Sequence, residues 1–88
     1  MSNQSNVVRM DYFNGLVEKA IEGSEANILG DGSKFEAQII SDKFEGLTPV
    51  QRHKLVYAVL DDHIKSGAIH ALTIKAFTKS EWASKNPD

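Results

Sequence analysis

The chain has 88 residues, 41% hydrophobic and 25% charged, which is one ordinary globular domain and excludes collagen-like, disordered and membrane-spanning classes. Ten basic and twelve acidic side chains give a formal net charge of −2, so any nucleic-acid binding has to come from a local patch. Cysteine is absent, which excludes disulfide staples, thiol nucleophiles and cysteine metal ligands and makes the cytoplasm the default compartment.

Residues 1–6 are polar, with no apolar core behind a basic end, and read as a frayed terminus rather than a secretory leader. One domain is expected over 7–85, with 86–88 as the other end. Val7 to Glu22 reads as a helix whose apolar face is Phe13, Leu16, Val17, Ala20 and Ile21. Gly15 weakens it by about 1 kcal/mol against alanine, and Gly23 is placed to end it. Glu25–Leu29 and Phe35–Ile40 read as strands, the second alternating Phe35, Ala37 and Ile39 with Glu36 and Gln38. Between them, Gly30-Asp31-Gly32-Ser33 signals a hairpin. It is not a phosphate loop: Phe35 stands where a dinucleotide fingerprint needs glycine, and a strand follows instead of a helix.

The second helix is expected from Pro49 to about Lys65, opened by a Thr48/Gln51 capping box with Pro49 at its first position. Its stripe is His53, Val56, Leu60 and Ile64, widened by Val59, and Gly67 stops it. Ile69–Phe77 alternates as a third strand, and Thr78 with Glu81 caps a short last helix carrying Trp82. The resulting expectation is an α+β two-layer domain in the order α-β-β-α-β-α. A three-stranded mixed sheet has helices on one face and a right-handed parallel crossover between its second and third strands.

Catalysis finds little support. No Gly-x-Ser-x-Gly elbow or nucleophile–base pair is present, and Asp61 and Asp62, adjacent on a helix, point about 100° apart. His53, His63 and His70 lack zinc spacing. His53 shares the apolar face, which predicts a hydrogen-bonded core histidine. The alternative is a half-exposed recognition residue beside Arg52. His63, near the helix end, is expected to be exposed. His70 opens the third strand at the sheet rim, as a strand-capping residue or as one ligand to a metal held mainly by another protein.

Phe44 and Gly46, then Arg52-His53 with Val56-Tyr57, then Ile69-His70-Ala71-Leu72 together resemble the BolA family. Gly30 to Phe35 and Lys75 to Trp82 resemble its short bacterial branch. The resemblance implies a type II KH-like fold, a monothiol glutaredoxin as partner, and a 2Fe–2S cluster shared with it but none held alone. It also implies links to transcription, cell shape and stress responses. By position His70 matches the family's cluster-ligand histidine, and Phe44, His53 and Val56 belong to its signature. Members that bind the cluster usually offer a second Cys or His in the hairpin loop, where this chain has Lys34, and a protonated lysine has no lone pair to donate. The expected protein is a non-enzymatic, cytoplasmic adaptor, monomeric alone and away from membranes. The alternative is a DNA-binding regulator using Gly46, Arg52 and Lys54 at the start of the second helix, where amides and cations favour phosphate. A KH clamp needs Gly-x-x-Gly, however, and the fourth position here is Pro49.

Overall fold

A computed structural model describes residues 8–85. The ends expected at 1–6 and 86–88, and Val7, lie outside the described residues.

The elements run β1 (Val8–Arg9), α1 (Asp11–Ala20), β2 (Glu25–Gly30), β3 (Phe35–Ile40), α2 (Pro49–Lys65), β4 (Leu72–Phe77) and α3 (Lys79–Lys85). The sheet has four strands in the order β1-β2-β3-β4, not the three expected. The extra strand comes from the start of the predicted first helix. Val8 and Arg9 pair antiparallel with Gly30 and Leu29, and the helix begins only at Asp11, whose carboxylate suits the positive end of the dipole. A local helical pattern cannot register this competition, because the partner backbone lies about twenty residues on.

Strands β2 and β3 form the expected antiparallel hairpin, and β3 pairs parallel with β4. Paired residues point to the same face. One face therefore carries Ala26, Ile28, Phe35, Ala37, Ile39 and Ile74, all buried, and receives Val17 and Ile21 from the first helical segment and Val56 and Leu60 from α2. Phe44 seals the core from below α2. It ends a 3₁₀ turn, Asp42–Phe44, whose cap is the buried Ser41, with Oγ accepting from Lys43 N–H at 3.1 Å.

Gly30 has a packing reason to be glycine. It stands opposite Phe35, and a Cβ there would come within 2.5 Å of the Phe35 ring.

Helices α1 and α2 cover the core face. α3 does not join them: Trp82 packs against Phe77 at a 51° tilt, ring centroids 5.5 Å apart, and lines a hollow with Ile40 and Glu25. Phe77 and Ile40 alternate with the core-facing residues, so Trp82 lies on the opposite face. β4 is also shorter than the predicted Ile69–Phe77. Gly67 turns with φ +86°, Ile69 drops into the core at 2% exposure, and its N–H donates to His63 C=O at 3.0 Å. The backbone at Ile69 closes the helix end, and only from Ala71, whose C=O accepts from Phe35 N–H at 3.0 Å, does the chain bond to β3. No helix among the described residues is long and apolar enough to cross a membrane.

Candidate functional site

The hairpin loop and His70 come together at one corner of the sheet. The loop is organised by Asp31, whose Oδ1 accepts from Lys34 N–H at 2.7 Å, Ser33 N–H at 2.9 Å and Ser33 Oγ at 3.2 Å. The chain closes with Asp31 N–H donating to Lys34 C=O at 3.1 Å, and Gly32 takes φ +98°. Hydrogen bonds from the Lys34 and then the Ser33 backbone hold the Asp31 carboxyl below its usual pKa.

His70 reaches this loop through Phe35. Phe35 N–H donates to Ala71 C=O at 3.0 Å, and the Phe35 and His70 rings lie 6.5 Å apart at a 41° tilt. His70 is exposed and sits two residues before β4, in the return from Gly67, instead of opening the strand as the sequence suggested. Gly67 lies beneath it, where a Cβ would meet His70 Cε1 at 3.8 Å. Asp31, Lys34 and Ala71, with Leu29, Glu36 and Thr73 from the sheet face away from the core, line a depression of about 520 Å3 beside this corner; His70 is not among its lining residues. An exposed imidazole and an exposed ammonium therefore stand at the same end of the sheet. As a donor set this fits one ligand position: His70 has a lone pair and Lys34 does not. Among the described residues no three His, Cys, Asp or Glu side chains gather to hold a metal.

The Arg52-His53 pair is arranged the other way round from expectation. His53 is exposed and not in the core. Arg52 turns inward, its side chain 12% exposed. Its Nε donates to Leu47 C=O at 3.0 Å, and Nη1 donates to Ala76 C=O at 3.1 Å and Glu81 Oε1 at 2.7 Å. Nη2 donates to Glu81 Oε2 at 3.2 Å, and the guanidinium lies 5.8 Å from the Phe44 ring centroid. A planar fork can satisfy several carbonyls and one carboxylate together, which an imidazole cannot. The Arg52 bond and the Thr78 N–H lower the Glu81 pKa to about 2.

Around the start of α2, Gly46 is exposed with φ +79°, Lys54 is exposed, and the Thr48/Gln51 capping box forms as expected. Phe44 and Val56 are fully buried. His63 is half-buried, edge-on to Phe13 at 5.0 Å and Tyr12 at 5.6 Å, where exposure was expected.

Two polar residues escaped the sequence reading. Asn14, 3% exposed, accepts from Ile28 N–H through Oδ1 at 2.7 Å, and Glu18 Oε2 accepts from Ala26 N–H at 3.0 Å. The available signal was Asn14 itself, a polar residue three before Val17 on the inner side of α1.

The sequence profile of the family described as BolA-like protein matches residues 17–81. An uncharacterized protein from the rpoN-murA intergenic region of Acinetobacter guillouiae is 42% identical over 67 residues, 76% of this chain and 81% of that protein. The acid stress protein IbaG of Escherichia coli strain K12 is 38% identical over 68 residues, covering 77% and 81%. The solved structure of a bolA protein homologue from Coxiella burnetii superposes with a TM-score of 0.73 at 37% identity, covering 85% of this chain and 96% of that one.

Proposed function

This chain belongs to the BolA-like protein family, and on that premise we propose that it is a binding adaptor, not a catalyst, which docks a monothiol glutaredoxin at the hairpin–His70 corner. The cargo exchanged or sensed there is a 2Fe–2S cluster, to which this chain contributes one nitrogen ligand. The observation that carries the reading is the exposed His70 beside the loop that ends in Lys34. With one donor on this side, the glutaredoxin supplies the remaining ligands, and the cluster belongs to the complex and not to this chain alone. The stress response named for the Escherichia coli relative agrees with a regulatory use of such a complex.

The nucleic-acid reading ranks second. Its candidate segment keeps the exposed Gly46 and Lys54, but the Arg52 guanidinium is committed to Glu81 and two carbonyls. A phosphate at this surface would have to compete with that carboxylate.

The test is to mix the protein with cluster-loaded glutaredoxin. Replacing a thiolate by imidazole changes the visible absorption and raises the reduction potential. The spectrum should change with the wild type and not with His70→Ala. Identical spectra in a demonstrated complex would remove His70 as a ligand.

A further inference from the structure

The two edges of the sheet are finished differently. On β2 the residues whose backbone turns outward are Ala26, Ile28 and Gly30. Glu18 takes the Ala26 N–H, Asn14 takes the Ile28 N–H, Met10 N–H donates to Ile28 C=O at 2.8 Å, and Gly30 pairs with Val8. The N–H donors of that edge are taken. On β4, Phe35 N–H bonds Ala71 C=O and Ser41 N–H bonds Phe77 C=O. The odd-numbered residues therefore face β3, and Leu72, Ile74 and Ala76 turn outward. Arg52 closes this edge at Ala76 C=O. The N–H and C=O of Leu72 and Ile74 face away from the sheet, a template for another strand.

The flank of α2 above this stretch has a matching pattern. Leu55, on the opposite flank, shares a hollow with Ala20 and Ile21 beside α1. The flank bearing Tyr57, about 200° round the helix from Leu55, therefore faces away from α1, toward the β4 side of the sheet. Tyr57 is 40% exposed and Val50 63%. Around Tyr57 the residues are complementary under exchange of ends. His53 and Asp61 stand four residues before and after it, Val50 and Ile64 seven before and after. Arg52, near the start of α2, reaches Ala76, near the end of β4, so the helix runs back along the strand toward Leu72.

We infer that this face is a two-fold interface with a second copy of the chain. The β4 strands pair antiparallel, Leu72 of one copy with Ile74 of the other, joining two sheets into one. The α2 helices lie antiparallel above the seam, Tyr57 on Tyr57, Val50 on Ile64 of the second copy, and His53 against Asp61 of the second copy. Asp61 Oδ2 already holds Lys65 at 3.0 Å, which leaves Oδ1 for the imidazole. A bare extended peptide would satisfy the strand edge but leave Val50 and Tyr57 uncovered; a second copy covers both and sets donor against acceptor. This assignment differs from the monomer expected from sequence and does not rest on the glutaredoxin reading.

Sedimentation velocity from micromolar to millimolar protein, with amide exchange on the same samples, tests it. A dimer should grow with concentration, and exchange at Leu72 and Ile74 should slow in step. Tyr57→Glu and, separately, His53→Asp should each weaken the dimer about tenfold or more, with circular dichroism confirming the fold. The swap His53→Asp with Asp61→His should restore it. A chain that stays monomeric at millimolar concentration overturns the inference, as does a dimer indifferent to Tyr57→Glu or a swap that restores nothing. Amides protected only after glutaredoxin is added would give the edge to that partner instead.

Discussion

Arg52 and Glu81 hold each other through two hydrogen bonds, 2.7 and 3.2 Å, across 29 residues of sequence. The same Glu81 carboxylate accepts from Thr78 N–H at 2.9 Å, while Glu81 N–H donates to Thr78 Oγ1 at 3.1 Å. One side chain thus caps α3 and ties it to α2. Its pKa falls from 4.5 to about 2, so its stabilising contribution is complete above pH 4.5 and is lost as the pH falls through about 2. Thermal melts of the wild type and Glu81→Gln between pH 7 and pH 2 check this. The variant should melt lower near neutrality, and the gap should close in acid.

Because Arg52 and not His53 is turned inward, the two substitutions should separate. His53→Ala removes an exposed side chain and should leave stability within about 0.5 kcal/mol. Arg52→Ala leaves the Ala76 and Leu47 carbonyls and the Glu81 carboxylate without their donor and should cost about 1–3 kcal/mol. Urea denaturation of both variants reads the difference. Equal losses would contradict the arrangement.

Asn14 should behave as an edge cap. Asn14→Ala leaves the buried Ile28 N–H without an acceptor, at a cost of about 1–3 kcal/mol. The Ile28 amide should lose hydrogen-exchange protection at the same time. Asn14→Asp keeps an acceptor oxygen and should restore part of that protection, the rest being lost to repulsion from Asp11, which Asn14 Nδ2 faces at 3.5 Å.

Lys34 is the testable difference in the hairpin loop. Lys34→His puts a second imidazole at the end of the sheet that carries His70. With cluster-loaded glutaredoxin it should enlarge the wild-type change in the visible spectrum, and the double variant Lys34→His with His70→Ala should give an intermediate one. No effect of Lys34→His in a formed complex would place the loop away from the cluster.

What was legible in the sequence was local. The alternation of Phe35 to Ile40, the Thr48/Gln51 and Thr78/Glu81 boxes, and the turn at Gly30 to Ser33 each depend on residues within a few positions, and each forms where it was expected. The motif around Arg52-His53 and His70 carried the family, and with it the corner where function is proposed. Tertiary structure decided the rest, because the deciding partners are distant in the chain. Val8 and Arg9 became a strand since Leu29 and Gly30 offered an open edge. Arg52 displaced His53 from the interior since Ala76 and Glu81, brought beside α2 by the parallel crossover, accept a guanidinium fork. Helical periodicity assigns a face by apolar neighbours alone; it cannot tell which of two adjacent polar residues will find hydrogen-bond acceptors inside, and a buried donor is stable only where those acceptors exist.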